Sequence, residues 1–186
     1  AVLLAALVDA KEAGFILDAG AASGAVGLAI AARLPEARLC LVDISAEEIA
    51  LARQNIIDNG FSDRIDVRQA DLLRPVSTLA DQGLTAGMAD CVVTNPPYLD
   101  EAQDRVTENV DKMRAHVMPA DGLQAWMKTC HALLKSRGRL HLIHRADRLP
   151  EILRAFGKGF GGIVIRPVHA HADKAAIRIL VSATKD

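Results

Sequence analysis

A chain of 186 residues with 51% hydrophobic side chains can bury one sizeable core, and its length is typical of a single domain. The formal net charge of −1 excludes a uniformly basic nucleic-acid binder, so a nucleic-acid contact would need a local patch. Only 3% of the residues are aromatic, which argues against a surface that stacks several bases. We expect residues 1–186 to form one domain.

The chain opens with an apolar run at residues 1–7, which is too short to cross a bilayer and lacks the basic segment of a signal peptide. We interpret it as the end of a helix and expect that an N-terminal segment is missing. The cysteines are odd in number, form no Cys-x-x-Cys pair and lie in or near apolar runs: Cys40, Cys91 and Cys130. This pattern is typical of reduced core thiols in a cytoplasmic protein.

A glycine-rich turn follows the first predicted strand. The apolar run at residues 15–17 leads into Asp-Ala-Gly-Ala-Ala-Ser-Gly at residues 18–24, and a helix follows. Glycines there let the backbone approach a ligand closely, and the helix N-terminus favours a carboxylate or phosphate. Nicotinamide and flavin enzymes use related turns, and a plain strand-to-helix turn would look alike. The turn therefore predicts a ligand site without identifying the ligand.

Polar side chains recur at nearly even spacing along the next part of the chain, each just past an apolar strand. They are Asp43, Asp71 and Asn95. Repeated βα units form an open parallel sheet, and such sheets bind ligands at the carboxyl ends of their strands. Asp43 would accept from ribose hydroxyls and Asp71 from an exocyclic amine. Between them, Ser45 and Glu48 form a capping-box pattern that begins a helix.

The sequence Asn95-Pro96-Pro97-Tyr98 indicates a site for a planar NH₂ group. Consecutive prolines remove two backbone donors and force an extended chain, so a helix cannot continue and carbonyl groups are left to accept. The side chain of Asn95 and the backbone of Pro96 supply two acceptors, and Tyr98 supplies an aromatic face. A tight turn after a strand is the alternative interpretation.

The remainder of the chain predicts one more βα unit and a final hairpin. Residues 72–87 resemble a loop with a short helix, and the charge-rich residues 100–114 suggest a mobile flap beside the site. A helix at residues 120–135 should pack Trp126 against the sheet. The further predicted elements are a strand at 139–144, a helix at 149–156, and hairpin strands at 163–168 and 176–182.

Basic residues and histidines cluster in this last part of the chain. The candidate phosphate contacts, for which a solvated face is the alternative, are Arg137, Arg139, Arg145, Arg148, Arg166, Lys174 and Arg178. His141 and His144 should point to opposite faces of their strand, and His169 and His171 to one face. No Cys/His spacing resembles a zinc site, so we expect no metal and interpret these histidines as surface or RNA-facing groups.

With these motifs the chain resembles the class I S-adenosylmethionine-dependent methyltransferases over essentially its whole length. The resemblance implies a Rossmann-like α/β three-layer sandwich with a mostly parallel seven-stranded sheet and an antiparallel last strand. Ala22 departs from the glycine that this family often has there, so its methyl group would crowd the cofactor unless the local φ is negative. The cofactor site that the resemblance implies comprises Asp18, Gly20, Ala21, Ala22, Ser23, Gly24, Asp43, Ile44, Asp71, Leu72 and Asn95.

The Asn-Pro-Pro-Tyr sequence is similar to the motif of amino-group methyltransferases, in which Asn95, Pro96, Pro97 and Tyr98 would be catalytic. Residues 1–6, 144–147 and 176–181 extend the resemblance to the bacterial tRNA1(Val) adenine-N6 methyltransferase family, which implies the adenine at position 37 as substrate. Glutamine methylation of a release factor and guanine-N2 methylation of rRNA remain alternatives. An NAD-dependent oxidoreductase or a non-catalytic RNA-binding module are alternatives from other classes.

Overall fold

The computed structural model describes residues 1–12, 14–97 and 121–186. The strands are β1 (Phe15–Ala19), β2 (Arg38–Asp43), β3 (Ile65–Gln69), β4 (Ala89–Thr94), β5 (Leu134–Arg145), β6 (Phe160–His169) and β7 (Ala176–Lys185). The α-helices are α1 (Val2–Ala5), α2 (Ala25–Arg33), α3 (Ala46–Asp58), α4 (Gly122–Leu133) and α5 (Leu149–Phe156). No helix in these described ranges is both long and apolar enough to cross a bilayer.

The strands form one seven-stranded sheet in the order β3-β2-β1-β4-β5-β7-β6. Neighbours from β3 to β5 are parallel, whereas β7 runs antiparallel to both β5 and β6. This confirms the mostly parallel sheet with an antiparallel last strand. Strand numbers fall from β3 to β1 and rise again from β4, so the direction of strand order reverses between β1 and β4. Open α/β sheets bind ligands at such a point.

Two apolar clusters, one on each face of the sheet, give the fold its three layers. On one face, α1, α2 and α3 pack against the sheet through side chains such as Leu4, Ile30 and Ile56. On the other face, Met127 of α4 and Phe156 of α5 do so. Successive residues of the central strands are buried and mostly apolar. Since side chains alternate between the two faces along a strand, both faces of the sheet are apolar there, as a parallel sheet covered by helices requires.

The predicted elements are present, and their boundaries differ where strands are longer than expected. α4 ends at Leu133 because β5 begins at Leu134, five positions before the predicted start at residue 139. The loop at residues 72–87 contains short 3₁₀ turns at Val76–Thr78 and Ala80–Gln82. Ser45 caps α3 by accepting from the amide of Glu48 at 3.3 Å, as the capping pattern predicts. The predicted flap at residues 100–114 lies outside the described residues.

All three cysteines are buried and free, which confirms the prediction of core thiols. The prediction for two of the histidines was wrong, because His141 and His144 are buried. They do point to opposite faces of β5, but helices or the N-terminal segment cover both faces there. Burial lowers the pKa of His144 to about 4. His169 and His171 are exposed on the β6–β7 hairpin, in agreement with their prediction as surface groups.

A buried carboxyl group lies beneath the first turn of α2. Asp18 is 1% exposed, and its Oδ2 accepts a hydrogen bond from the amide of Gly27 at 2.9 Å. Burial raises the pKa of Asp18 to about 7; the Gly27 hydrogen bond opposes this rise and the charge of Asp43 adds to it. The folded protein therefore keeps this carboxyl group protonated under conditions in which an exposed aspartate is ionised.

We predict that Asp18 makes stability fall as the pH rises. The unfolded chain releases the proton near the ordinary value of 3.8 and the folded protein near 7, so the folded state holds more protons between these values. The free energy of unfolding should then decrease across this range and level off above about pH 7. Urea denaturation between about pH 5 and about pH 8 measures this slope.

In Asp18→Asn, an amide oxygen still accepts from Gly27 but cannot ionise, so the slope should be much smaller. Asp63→Asn, at an exposed aspartate, is the control and should keep the parental slope. An equal slope in the parent and in Asp18→Asn would contradict the assignment.

Candidate active site

The turn between β1 and α2 folds back onto the end of β2. The amides of Gly20 and Ala21 both donate to the carbonyl of Val42, at 2.9 and 3.0 Å. Gly20 and Gly24 have positive φ values of 74° and 86°, which glycine adopts without steric cost. Space is also limited, because a Cβ at Gly24 would come within 2.8 Å of Leu41. The glycines are therefore required by both backbone conformation and packing.

Ala22 lies in the left-handed region, with φ of 44°. The methyl group was expected to be harmless only if this φ were negative, and the structure does not meet that condition. A left-handed conformation costs a non-glycine residue roughly 1 kcal/mol or more. The amide of Ala22 donates to Oδ2 of Asp43 at 2.8 Å, so this conformation aims the N–H at the end of β2.

Asp43 links the turn to the start of α3. Its Oδ2 accepts from Ala22, and its Oδ1 accepts from the amide of Ser45 at 3.0 Å. A carboxylate oxygen has two lone pairs, so each oxygen can still accept from a ligand hydroxyl. The next residue, Ile44, exposes 51% of its surface. An acceptor beside an exposed apolar side chain fits a ribose joined to a planar base.

Asp71 follows β3 on the same edge of the sheet. Its Oδ1 accepts from the amide of Leu73 at 2.9 Å, which holds the carboxylate in a tight turn. Leu72 is 2% exposed and packs in the apolar core, so its contact with a cofactor stays a prediction. The amide of Ala70 donates to the carbonyl of Asp43 at 2.9 Å and joins the ends of β2 and β3.

Asn95 is exposed directly after β4, Pro96 is buried and Pro97 is half-buried. Tyr98 lies outside the described residues. The preceding residue, Thr94, is fully buried, and its hydroxyl donates to the carbonyl of Ala19 at 2.8 Å. Because Ala19 is the last residue of β1 before Gly20, this bond connects the strand that leads into the acceptor motif with the glycine-rich turn. Sequence reasoning missed Thr94, for which the only signal was a hydroxyl residue at a strand end.

Asp43, Asp71, Asn95 and the glycine-rich turn lie at one edge of the sheet, as predicted from their positions after parallel strands. Ser23 is part of the same turn, and its carbonyl accepts from Nδ2 of Asn55 at 2.9 Å. Asp18 differs from the others because its carboxyl group bonds the first turn of α2. Its direct contact with a cofactor stays a prediction.

The candidate phosphate-binding residues do not form one patch. Arg145 and Arg178 are neighbours in the β5–β7 register and lie at the edge that carries Asn95, whereas Arg137 lies near the opposite end of β5. Ion pairs connect Arg145 with Asp147 and Arg148 with Glu151, each at 2.7 Å. Arg139 pairs with Glu12 at 3.2 Å. Only part of the predicted basic surface therefore faces the candidate site.

A cluster of possible metal ligands lies under the N-terminal segment. Single ligand atoms of Glu12, Cys91 and His141 lie within 4.8 Å of one another. His141 already has partners on both ring nitrogens, with Ser182 Oγ and Glu12 Oε2 each at 2.8 Å. Burial favours a raised pKa of Glu12, but the hydrogen bond and charge of His141 outweigh it and the pKa is lowered. These contacts support a structural network that ties Glu12 to the sheet.

We predict that Ala22→Gly stabilises the fold. Removing the methyl group relieves the left-handed strain, and the gain should be about 0.5 to 1 kcal/mol after the greater freedom of glycine in the unfolded chain is subtracted. Urea denaturation gives the change. The control is Ala50→Gly at an exposed position within α3, where glycine should destabilise by about 1 kcal/mol. A loss of stability in both variants would show that Ala22 is not strained.

Comparison with known proteins identifies the family. The sequence model of the methyltransferase small domain matches residues 1–158. A release factor glutamine methyltransferase of Chlorobaculum tepidum is 30% identical over 178 residues, covering 92% of this chain and 59% of that relative. A tRNA1(Val) (adenine(37)-N6)-methyltransferase of Vibrio campbellii is 30% identical over 139 residues, covering 74% of this chain and 53% of that relative. The chain thus spans between half and two thirds of these relatives' length.

Solved structures agree with this result. A protein of Agrobacterium tumefaciens, described as a predicted O-methyltransferase, is 34% identical and has a TM-score of 0.82, covering 99% of this chain and 79% of its own. TrmN from Thermus thermophilus is 20% identical with a TM-score of 0.67, covering 100% of this chain and 52% of its own, and shows the fold alone. The chain belongs to the methyltransferase small domain family, and S-adenosylmethionine is the cofactor that this family and fold imply.

Proposed function

We propose that this protein methylates an NH₂ group that is conjugated to a ring or carbonyl, and that the substrate is adenine N6 in tRNA, at position 37 of tRNA1(Val). One observation carries the proposal. The acceptor motif at Asn95 begins at the strand end next to the glycine-rich turn, and the hydroxyl of Thr94 bonds the two together. A cofactor on the turn and an amine at Asn95 would therefore be neighbours.

The residues present fit S-adenosylmethionine. We assign the ribose hydroxyls to the carboxylate of Asp43, and one face of the adenine ring to the exposed side chain of Ile44. We assign the adenine amine to Asp71. The methionine carboxylate suits the N-terminus of α2, where backbone amides have no partner within the helix. The bound cofactor supplies a methyl group on a positively charged sulfur, which keeps the electron pair of the broken carbon–sulfur bond.

Asn95 and Pro96 would activate the acceptor nitrogen. The lone pair of an exocyclic amine is delocalised into its ring, which makes the nitrogen a poor nucleophile. When the side-chain oxygen of Asn95 and the carbonyl of Pro96 accept both hydrogens, the nitrogen can become pyramidal and direct its lone pair at the methyl carbon. These hydrogen bonds strengthen as positive charge develops on nitrogen, so they favour the transition state. The acidic product ammonium then loses its proton to water.

The distribution of charge favours an RNA substrate over a protein loop. Arg145 and Arg178 lie at the edge of the site, and Arg166 is exposed on the neighbouring β6. Phosphate groups of an RNA loop would find these cations beside the acceptor pocket. An unpaired adenine can turn out into such a pocket, whereas a base inside an A-form duplex cannot. The buried free thiols agree with a cytoplasmic reaction on tRNA.

Glutamine methylation of a release factor is the second candidate. Its specific support is the 30% identity to the Chlorobaculum tepidum relative over 92% of this chain. A glutamine side-chain amide offers the same planar NH₂ group, and Asn95 with Pro96 would accept its hydrogens in the same way. Guanine N2 is a further NH₂ group of this kind, so the methylated product has to be identified chemically.

We predict that labelled S-adenosylmethionine transfers its methyl group to bulk tRNA, and that nucleoside analysis finds N6-methyladenosine. A release-factor fragment with a Gly-Gly-Gln loop is the parallel substrate and should remain unlabelled. Asn95→Ala should lower transfer at least about a hundredfold, because it removes an acceptor at the developing charge, while S-adenosylhomocysteine binding stays nearly intact. Label on the fragment alone would favour glutamine methylation, and full activity of Asn95→Ala would refute the pocket.

We also predict that tRNA affinity depends on salt through residues at one edge of the sheet. Arg166→Ala and Arg178→Ala should each lower the slope of log affinity against log salt by about one unit or less, as expected for one lost phosphate contact. Arg137→Ala removes the same charge near the opposite edge and is the matched control, which should leave the slope unchanged. Equal effects of all three substitutions would indicate non-specific attraction.

A further inference from the structure

We propose that Thr94 is a positioning residue that couples the cofactor turn to the acceptor pocket, and that Trp126 fixes its orientation. The proposal rests on the proposed function, since it assumes that Asn95 holds the acceptor amine. Thr94 and Trp126 both lie outside the glycine-rich turn and the Asn-Pro-Pro-Tyr motif, so the proposal adds two residues to the site. Both are buried on the face of the sheet that α4 covers.

The three groups form a hydrogen-bonded chain whose direction is set by their chemistry. Nε1 of Trp126 lies 3.0 Å from Oγ1 of Thr94, which lies 2.8 Å from the carbonyl oxygen of Ala19. An indole N–H only donates and a carbonyl only accepts. Thr94 must therefore accept from Trp126 and donate to Ala19. A threonine hydroxyl can do both at once, so the buried polar groups satisfy one another.

These side-chain hydrogen bonds lie where the backbone pairing of β1 with β4 ends. The parallel register of β1 with β4 stops at the pair Ala19 and Thr94. Beyond it, β1 turns into Gly20, while β4 continues into Asn95 and two prolines, which have no N–H to extend the ladder. The Thr94 hydroxyl is therefore placed to fix the distance between the turn and the acceptor motif just after the ladder has stopped.

Trp126 reaches the turn through its ring as well. A Cβ built on Gly20 would lie 3.1 Å from two carbons at the edge of the indole ring, Cζ2 and Cη2. The same side chain thus packs against Gly20, the first residue after β1, and bonds the residue before Asn95. A shift of Trp126 would disturb both halves of the site. Sub-ångström changes of this kind matter because methyl transfer needs the acceptor and the methyl carbon in line.

The test uses Thr94→Val, which keeps the shape of the side chain and removes the hydroxyl, and Thr94→Ser, which keeps the hydroxyl. Methyl transfer at saturating cofactor and acceptor should fall about tenfold or more in Thr94→Val, and S-adenosylhomocysteine should bind several-fold more weakly. Thr94→Ser should restore both to within about threefold of the parent. The acceptor is bulk tRNA or the Gly-Gly-Gln fragment, whichever the parent methylates.

Trp126→Phe removes the N–H donor but keeps an aromatic ring, so it completes a double-mutant cycle. Its effect on transfer should be clearly smaller in the Thr94→Val background than in the parent, because its partner is already gone. Independent, multiplicative effects would overturn the coupling. Ser182→Ala is the control, as it removes another buried hydroxyl that bonds His141 away from the site. It should lower thermal stability while leaving transfer unchanged.

A purely structural role predicts a different result. Thr94→Val would then lose thermal stability but keep its transfer rate and cofactor affinity below the melting range, like Ser182→Ala, and this outcome would overturn the proposal. Asn95→Ala, measured in parallel, separates the two hypotheses. If it loses transfer while Thr94→Val does not, only the coupling fails. If Asn95→Ala remains fully active, the proposed pocket and the coupling both fail.

Discussion

Ala19 pairs with Val42 on one side and with Thr94 on the other, and the candidate site depends on this register. Because β1, β2 and β4 are parallel, the polypeptide leaves all three strands at the same edge of the sheet. The turn after Ala19 then folds over β2, where two amides share the carbonyl of Val42. A slip of one residue would turn Asp18 or Thr94 to the opposite face of the sheet and break its bond to Gly27 or Trp126, so these buried polar contacts favour the observed register.

The electrostatics of the site follow from the same arrangement. Asp18 begins the glycine-rich turn and Asp43 ends the neighbouring strand β2, and each accepts from a backbone amide in or just after the turn. One is buried and remains protonated to about pH 7, whereas the other is half-exposed at the ligand edge. The first aspartate therefore supports the turn as a buried hydrogen-bonded group, and the second is partly exposed at the candidate site. Environment, and not residue type, separates their roles.

The far side of the molecule is organised around a second polar network. Glu12 bonds His141 and contacts Arg139, which connects the N-terminal segment to β5, and Ser182 extends the network to β7. Each of these groups is buried or half-buried and is paired with an opposite charge or a hydrogen-bond partner, as buried polar groups require. This network supports the sheet on the face opposite α4, so the N-terminal segment and the Trp126 contact act on different faces.

The sequence by itself determined the order of the elements, the final hairpin and the common edge of Asp43, Asp71 and Asn95. Those features follow from local periodicity and from the geometry of parallel strands. Tertiary structure alone decided that Arg145 lies beside Arg178, that His141 and His144 are buried, and that Trp126 bonds Thr94. It also decided the positive φ of Ala22, a residue whose amide donates a hydrogen bond to Asp43. The reason is physical: these features depend on contacts between residues far apart in the chain, and local patterns carry no information about which distant groups will meet.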